Sequence, residues 1–371
     1  MPPIVAVPRV SGRVVWLAIG IALGAAIILG ITTLSRPQPI RPLSTLLSVE
    51  LSSGPLDAEF NGSVGYVSLG EGTIVQVEVS SDAIDVTEVI GGLAYPRGIA
   101  VGTDELYVAE LGQLPCAAAY PVCKGPDVDD DAVEGERQIV EGSSARILAY
   151  PIIGDGFARP RVVVDRLPVV NTEHGLNDLD LGPDGMLYAT LGYFDSLRDE
   201  ESMIAGLQHP RAELVGTVLR IDPLSGKIEI YAQGLRNVYG LAFDGDDLYG
   251  VDNDGPTRGS RRYEELLHIE GGRNYGHPDE GTLGPHSVRD GHPIGIVSGT
   301  GSAGILVQDS SAFVGSCGQV HRMELNESHA AVTSSRVISR QGGCVTAIVA
   351  LPDGRMLITV FGEASHVVVL D

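Results

Sequence analysis

An arginine and an asparagine stand side by side, as Arg236 and Asn237, at the start of a short apolar strand. The surrounding segment, GLRNVYGLAFDGDDLYGVDNDGP, passes through a turn into a second apolar strand and ends at Gly255 and Pro256. Apolar strand, turn and apolar strand are typical of one blade of a β-propeller. Polar groups at the inner end of such a strand would face a shared central site. The pair is therefore a candidate for ligand binding, and the alternative is a pair that ties adjacent blades together.

A second group of residues with chemical potential follows in the segment HPDEGTLGPHSVRDGH, residues 277–292. Its imidazoles and carboxylates are the side-chain types that bind metal ions. Their spacing matches no known ligand pattern, so the segment is interpreted as an irregular loop over the mouth of the pocket. The residues concerned are His277, Asp279, Glu280, His286 and His292.

The four cysteines fall into two groups, Cys116 with Cys123 and Cys317 with Cys344. An even number of cysteines in an exported domain indicates two disulfides. The chain has no CxxC motif, so nothing supports a structural zinc site or a thioredoxin-like redox site.

The elements that must position these residues are repeated strand pairs. Each repeat has an apolar strand, a turn with Gly or Asp, and a second apolar strand, and sequences such as PDG fit tight connections. Six copies predict an all-β fold, a six-bladed β-propeller, whereas a β-sandwich would explain the strands but not the repetition. The copies span residues 62–79, 96–111, 176–192, 238–254, 302–325 and 345–370.

The N-terminus carries an uncharged apolar run, VVWLAIGIALGAAIILGITTL, at residues 14–34. This is about the ~20 residues that a helix needs to cross a bilayer. The run is longer than the ~7–15-residue apolar core of a signal peptide and no A-x-A site follows it, although a cleaved signal remains the alternative. We therefore expect a cytoplasmic N-terminus and transmembrane helix (1–34), a Pro-rich linker (35–50) and a propeller (51–371) on the extracytoplasmic side of the cell membrane.

The chain is acidic, with a formal net charge of −23 at pH 7 over 371 residues. Such a surface repels the phosphate backbone, which excludes nucleic acid as an expected partner. The composition indicates a solvated acidic surface, suited to salt or to divalent cations.

At this point the motifs resemble those of a known family. The segments EHGLNDLDLGPDGMLYATLG, LVGTVLRIDP and GLRNVYGLAFDGDDLYG, followed by DGP and NYGHP, appear in the order found in the soluble PQQ-dependent aldose dehydrogenases. These are the glucose/sorbosone dehydrogenase-like six-bladed propellers, and the resemblance covers about residues 60–371. It implies a sugar as the small-molecule substrate, which is oxidised at the anomeric carbon.

The resemblance also implies roles for individual residues. The family's general base lies eight residues before the Gly of the GPDG turn, which here is His174 counted to Gly182. It would remove the proton of the anomeric hydroxyl while hydride passes to PQQ, a task that suits a neutral imidazole. Arg236 and Asn237 would line the cofactor and stabilise the charge that grows on its reduced carbonyl.

A calcium ion is the second cofactor that the resemblance implies. In the family, backbone carbonyls at the Gly-Pro turn hold Ca²⁺ against the quinone, and these map to Gly255 and Pro256. The acidic pair that follows in relatives maps to Glu264 and Glu265. Oxygen ligands on a rigid turn suit this hard ion.

The chain departs from the family pattern at three places. The Asp that relatives carry after the glycine of the GPDG strand is replaced here by Tyr193, which follows Gly192. The cations that hold the PQQ carboxylates in relatives fall near Cys317 and Cys344. We therefore hypothesise that Cys317 and Cys344 form a disulfide where the cofactor's cationic anchors would stand.

Two other functions are compatible with these departures. One is a non-catalytic propeller that binds a sugar or a protein through the same pocket. The other is a calcium-dependent lactone hydrolase, which needs a cage of carboxylate and amide oxygens around the ion. The partial set for such a cage is Asn177, Asp178, Asn237 and Asn253.

Overall fold

The structure is a computed structural model, and it describes the chain in six stretches. These are residues 43–112, 144–169, 174–193, 210–253, 264–277 and 291–371. Almost all of the regular structure in these stretches is antiparallel β-sheet, and the one helix described is a 3₁₀ turn at Ala212–Leu214. The described strands form five sheets. The first strand in the chain, β1 (Thr45–Glu50), pairs within the last of these sheets.

The first four sheets each consist of sequential antiparallel strands. The first contains β2 (Pro55–Asn61), β3 (Val64–Leu69), β4 (Thr73–Val79) and β5 (Ile84–Ile90). The second contains β6 (Pro96–Val101), β7 (Glu105–Glu110), β8 (Ser144–Ile153), the short β9 (Gly156–Phe157) and β10 (Arg161–Pro168). The third contains β11 (Leu176–Leu181), β12 (Leu187–Leu191), β13 (Thr217–Ile221) and β14 (Ile228–Gln233). The fourth contains β15 (Val238–Asp244), β16 (Asp247–Asp252), β17 (Glu264–Ile269) and β18 (Pro293–Val297).

The last sheet has six strands, in the order β1-β23-β22-β21-β20-β19. Its strands are β19 (Ile305–Gln308), β20 (Ser311–Leu325), β21 (Val332–Ala350), β22 (Met356–Phe361) and β23 (His366–Leu370), together with β1. The two last predicted repeats, 302–325 and 345–370, therefore share one sheet. The all-β propeller is confirmed, but the prediction of six separate blades is wrong, because the described strands form five sheets.

The physical reason is the long pairing between β20 and β21. β20 doubles back at Gly318, where φ is +90°, so that the amide of Leu325 reaches the carbonyl of Ser310 at 2.9 Å. Continuous hydrogen bonding then runs from one predicted repeat into the next. The two halves of the sheet nevertheless pack against each other through a shared apolar cluster. That cluster includes Phe313, Val320, Ile338, Val345, Ile358 and Val360.

Tight turns and alternating burial explain why these segments form strand pairs. Two hairpins close through a Pro-Asp-Gly sequence, and the glycines Gly185 and Gly354 have φ values of +74° and +86°. Side chains rarely adopt this region, so the glycine fixes where each hairpin turns. The buried faces then pack between neighbouring sheets. One such core joins the second and third sheets through Tyr107, Ile147 and Leu187.

The first strand of each sheet lies next to the first strand of the following sheet. β2 contacts β6, β6 contacts β11, β11 contacts β15 and β15 contacts β19, while β21 contacts both β19 and β2 and so closes the ring. β1 adds the N-terminal end of the described chain to the last sheet by pairing with β23. This strand, Thr45–Glu50, comes from the segment that the sequence analysis predicts as a linker, residues 35–50.

Two carboxylates, the buried Asp178 and the half-buried Asp57, connect these inner strands. Asp57 on β2 accepts a hydrogen bond from the amide of Ile99 on β6 at 2.8 Å. Asp178 on β11 accepts one from the amide of Leu241 on β15 at 2.5 Å. Each carboxylate also accepts from the amide of the residue that follows it, at 2.8 Å. Hydrogen bonds from main-chain amides to a carboxylate thus stabilise two of the contacts between neighbouring sheets.

The carboxylates of the inner strands affect one another's pKa values. Burial raises the pKa of Asp178 to about 6. Burial and the charge of Asp178 raise the pKa of Asp180 to about 7. The pKa values of Asp57 and Glu59 are raised for the same two reasons, burial first and neighbouring carboxylates second. The guanidinium of Arg97 partly opposes this effect at Asp178.

A change of Asp180 to asparagine tests this arrangement. A carboxyl whose pKa is raised on folding binds more protons in the folded state, so its contribution to the free energy of unfolding falls as pH rises from about 4 to about 7. Asp180→Asn removes that loss and should raise the free energy of unfolding by about 1–2 kcal/mol at pH 8, with little effect at pH 4. Urea unfolding at both pH values measures the difference.

Asp222→Asn is the control for this measurement. Its carboxylate is exposed, and hydrogen bonds from Ser225 and Leu224 lower its pKa, so the charged form is the favoured one. This variant should gain no stability at either pH. Equal gains for both variants, or a gain for Asp180→Asn that does not depend on pH, would contradict the assignment.

The predicted transmembrane run, residues 14–34, lies outside the described residues. Within the part of the chain that the structure describes, no helix combines the length and the apolar composition that crossing a bilayer requires. Membrane anchoring and the extracytoplasmic location therefore stay predictions. Cys116 and Cys123 also lie outside the described residues.

Candidate functional site

The predicted site residues lie at one end of the third and fourth sheets. His174 comes just before β11, and Gly192 follows β12. Because β11 and β12 are antiparallel, the start of one and the end of the other meet at the same edge. Arg236 and Asn237 occupy the equivalent position before β15, in the neighbouring sheet. The fold therefore brings the three predicted residues to one place.

Tyr193 joins the two halves of the site through its main chain. Its amide donates a hydrogen bond to the carbonyl of Arg236 at 2.6 Å, and its carbonyl accepts one from Nδ1 of the buried His174. A carbonyl oxygen only accepts, so Nδ1 of His174 must carry the hydrogen. In the neutral imidazole the basic lone pair is then on Nε2, which is the arrangement that a general base needs.

The carboxylate of Asp252 binds the main-chain amides of the Arg-Asn pair. Its two carboxylate oxygens accept hydrogen bonds from the amides of Arg236, at 3.0 Å, and Asn237, at 2.6 Å. The guanidinium of Arg236 in turn donates to the carbonyl of Asn253. Both side chains of the pair are buried. The end of β16 therefore fixes the main chain from which the candidate ligand-binding groups project.

A buried polar network extends the site toward the second sheet. Arg97, which lies on β6, donates to the amide oxygen of Asn177 at 2.7 Å and to the hydroxyl of Tyr239 at 2.6 Å. Asn177 donates from Nδ2 to the amide oxygen of Asn237 at 2.6 Å. A second guanidinium thus stands behind the Arg-Asn pair, and the sequence analysis did not identify it.

His277 is the second imidazole of the site. Its ring meets the ring of Tyr193 edge-on, with centroids 5.2 Å apart. Burial, then the charges of Arg236 and His174, lower the pKa of His277 to about 3. His277 is therefore uncharged at neutral pH and can act as a polar neighbour of the base.

The five candidate metal ligands of residues 277–292, a segment interpreted as a loop over the pocket mouth, form a set that is only partly described. Of its five residues, Asp279, Glu280 and His286 lie outside the described residues. Among the residues described, no group of three or more His, Cys, Asp or Glu side chains is placed to hold a metal ion.

Gly192 lies between the base and the Arg-Asn pair. A Cβ atom there would lie 2.7 Å from Oδ1 of Asn237 and 2.7 Å from Cα of His174. Since one of these contacts is with the main chain, the neighbours cannot simply rotate away. Gly192→Ala should lower the free energy of unfolding by about 1–3 kcal/mol, as is typical of overpacking.

Urea unfolding of Gly192→Ala measures this cost, with Gly342→Ala as the control. A Cβ at Gly342 would meet nothing within 4 Å. The control should stay within about 0.5 kcal/mol of the unsubstituted protein, as most surface changes do. Equal stability of the two variants would show that the site is not packed as described.

The hypothesised disulfide between Cys317 and Cys344 is confirmed. The two residues are register partners on β20 and β21. A Cβ at Gly301 would lie 2.9 Å from the sulfur of Cys317, and the amide of Gly301 donates to Glu264 at 3.1 Å. Cys317 and Cys344 are the positions to which the motif resemblance assigns the cations that hold PQQ in relatives.

The predicted calcium ligands are only partly described. Gly255 and Pro256 lie outside the described residues. Glu264 is buried, and its Oε1 atom accepts the hydrogen bond from Gly301. In this arrangement Glu264 connects the fourth sheet to the loop before β19. Its role as a metal ligand stays a prediction.

Sequence reasoning missed Arg97 and Asp252. It named Tyr193 only as a departure from the family pattern and His277 only as part of a loop over the pocket mouth. Tyr193 acts through main-chain atoms, so its side-chain type carries no signal. Arg97 follows a proline and is the second residue of β6, just as Asn177 is the second residue of β11. That shared position was the available signal. Asp252 lay within a VDND stretch that is equally typical of a turn.

Comparison with known proteins agrees with this architecture. A family model described as "Domain of unknown function (DUF7133)" matches residues 153–318. No curated protein matches the sequence. Solved structures, in contrast, match over most of the chain.

Three solved structures illustrate the similarity. A putative oxidoreductase (glucose dehydrogenase) from Thermus thermophilus has 18% identity and a TM-score of 0.64, covering 89% of this chain and 99% of that one. The PQQ-bound aldose sugar dehydrogenase from Streptomyces coelicolor has 20% identity and a TM-score of 0.63, covering 91% and 99%. A calcium structure of a Trichoderma reesei enzyme of carbohydrate-active family AA12 has 12% identity and a TM-score of 0.59, covering 91% and 99%.

These similarities show that the chain has the β-propeller fold of the PQQ-dependent aldose sugar dehydrogenases, as the motif resemblance implied. At such identities they establish the fold alone, because one fold can carry unrelated functions.

Proposed function

We propose that this protein oxidises an aldose at its anomeric carbon, with PQQ as the cofactor. The observation that carries the proposal is that the main chain of Tyr193 hydrogen-bonds to both His174 and Arg236. Tyr193 thereby links a base whose lone pair is on a defined nitrogen to the main chain from which the guanidinium of Arg236 projects. This is the combination that proton removal next to a growing negative charge requires.

The donor set fits the oxygen atoms of a quinone. Arg236 and Asn237 offer guanidinium and amide donors, and both side chains are buried. When bound, PQQ supplies the acceptor of two electrons. Its carboxylates would meet fewer cations than in the resembling family, because the disulfide Cys317–Cys344 stands at the anchor positions. We therefore expect PQQ to bind less tightly than full charge pairing would allow.

The protein's own residues define the chemistry at the sugar. Nε2 of His174 accepts the proton of the anomeric hydroxyl, and the Nδ1 hydrogen bond to Tyr193 keeps the ring oriented while it does so. Burial of the site excludes water from the reacting groups, which strengthens each of these interactions. Calcium is proposed as the second cofactor, held by Gly255, Pro256 and Glu264.

Location is part of the same proposal. Residues 14–34 would anchor the propeller, and the site would face the extracytoplasmic side. A disulfide agrees with an oxidising compartment, where such bonds persist.

Reduction of an artificial dye with glucose, after addition of PQQ and Ca²⁺, tests the proposed activity. The proposal predicts turnover that depends on both glucose and PQQ. Absence of turnover with a panel of aldoses, together with an unchanged PQQ spectrum, would favour a non-catalytic sugar- or protein-binding propeller. The loss of the two cationic anchor positions to a disulfide is the observation that favours that second function.

The lactone hydrolase is the weaker alternative. Both carboxylate oxygens of Asp178 accept main-chain hydrogen bonds, and the amide oxygens of Asn177 and Asn237 accept from Arg97 and Asn177. These oxygens of Asn177, Asp178 and Asn237 therefore already accept hydrogen bonds from protein donors, which disfavours a cage around one ion. Lactone opening without a quinone would be the result in favour of this alternative.

A further inference from the structure

Arg97 determines how the amide of Asn177 is oriented. The guanidinium donates to Asn177 at 2.7 Å. Arginine has only donors, so the atom of Asn177 that faces it must be the oxygen. The remaining atom, Nδ2, then has two hydrogens to donate.

Asn177 in turn determines how the amide of Asn237 is oriented. Its Nδ2 atom lies 2.6 Å from the amide oxygen of Asn237 and 3.4 Å from the carbonyl of Val238. Since Nδ2 only donates, the atom of Asn237 that faces Asn177 must also be the oxygen. The NH₂ group of Asn237 is therefore turned away from Asn177.

The first member of this series cannot easily move. Arg97 is 3% exposed, and its guanidinium lies 4.8 Å from the ring centre of Tyr239 and 5.8 Å from that of Tyr95. It also donates to the hydroxyl of Tyr239 at 2.6 Å. Two aromatic rings and a hydrogen bond thus hold the cation in place, since a cation over an aromatic face is attracted to it.

We propose that Arg97 is a positioning residue which, through Asn177, fixes the amide of Asn237 so that its NH₂ group and the guanidinium of Arg236 present donors together to a quinone oxygen. The inference rests on the proposed function and adds a determinant of ligand polarity: the site favours an oxygen that accepts over a group that donates. Arg97 itself acts at a distance, through two amides.

Asn177→Asp should reverse the orientation of the Asn237 amide, while Asn237 and Arg97 themselves stay unsubstituted. An aspartate at position 177 still accepts from Arg97, but it has no hydrogen to give to Asn237. Asn237 would then turn its NH₂ group toward the aspartate and its oxygen toward the ligand. Replacement of a donor by an acceptor at a ligand oxygen should weaken binding by about tenfold or more.

Absorbance titration of the full chain with PQQ measures this change. Asn326→Asp is the matched control, because Oδ1 of Asn326 only accepts, from the amides of Ala330 and Ala331, and an aspartate does the same. The control should bind PQQ like the unsubstituted protein. Equal affinity of Asn177→Asp and Asn326→Asp would overturn the proposal.

Two further comparisons separate positioning from a general structural role. Asn237→Ala should weaken PQQ binding by about tenfold in the unsubstituted protein but should cause no further loss in the Asn177→Asp background. Additive losses would overturn the proposal. Arg97→Lys keeps a group that only donates and should retain affinity within about threefold, whereas Arg97→Met should lose about tenfold. Thermal unfolding of each variant shows whether the fold is intact.

Neutron diffraction from D₂O-exchanged crystals tests the orientation itself, without any cofactor. The proposal predicts deuterium on the atom of Asn237 that faces away from residue 177 in the unsubstituted protein, and on the atom that faces it in Asn177→Asp. The same orientation in both proteins would overturn the proposal. If the orientations differ as predicted but the unsubstituted protein does not bind PQQ, then the proposed function fails and the positioning by Arg97 stands.

Discussion

Replacing His174 with alanine is expected to lower the rate of glucose-dependent dye reduction by about 10²–10⁴-fold, the range typical of a lost general base. PQQ affinity should change by less than about threefold, because binding depends on the Arg-Asn pair and not on the base. The physical reason is the fixed tautomer: Nδ1 of His174 donates to Tyr193, which leaves Nε2 to accept the proton. Steady-state kinetics with saturating PQQ and Ca²⁺ measure the effect.

His366→Ala is the matched control for this substitution. Nδ1 of His366 also donates to a main-chain carbonyl, that of Ala364 at 2.6 Å, but the residue lies on β23, outside the site. Its removal should leave the rate unchanged. A rate for His174→Ala within about tenfold of the unsubstituted protein would show that His174 is not the base.

Removal of the Cys317–Cys344 disulfide is expected to have the largest effect on stability. The bond closes a loop with a sequence separation of 27 residues. The entropy lost by an unfolded chain with a loop of this length corresponds to about 3–4 kcal/mol. Cys317→Ser combined with Cys344→Ser should lower the free energy of unfolding by that amount in guanidinium chloride unfolding.

A second double variant, Cys317→Ala with Cys344→Ala, provides the control. If the cross-link is the cause, then serine and alanine should give the same loss within about 0.5 kcal/mol. A loss below about 1 kcal/mol in both double variants would mean that β20 and β21 are held together without the bond, through their long hydrogen-bonded pairing.

Local patterns predicted the strand pairs well, because each hairpin depends on residues that are close in sequence. The segment 176–192 contains β11 and β12, and the Pro-Asp-Gly turn of the last repeat lies between β21 and β22, as predicted. Pairings between distant residues carry no such local signal. β1 joins β23 across almost the entire chain, and its sequence before residue 51 reads equally well as a linker.

The number of sheets also could not be predicted from local sequence patterns. Six repeats are visible in the sequence, but whether two repeats share one sheet depends on how β20 turns at Gly318 and pairs with β21. Neither feature changes the alternation of apolar residues from which the repeats were recognised. Repeat counting therefore predicted the fold class and the ring, and not the division into sheets.

At the site, motif resemblance identified residues whose proposed roles depend on their side chains. His174, Arg236 and Asn237 were named in this way, and the structure brings them together. Tyr193 was noted as a departure, since an acidic side chain was expected there. Its importance lies in its amide and carbonyl, which any residue type would supply. Arg97 was missed because its effect on Asn237 passes through Asn177, and such a relay is visible only in three dimensions.

A crystal structure of the full chain soaked with PQQ and Ca²⁺ tests the central claim most directly. The account predicts density for one quinone between His174 and Arg236, with an oxygen of the quinone within hydrogen-bond distance of the Arg236 guanidinium and of the Asn237 amide nitrogen. A quinone bound elsewhere on the ring, or an empty site at cofactor concentrations that support dye reduction, would contradict it.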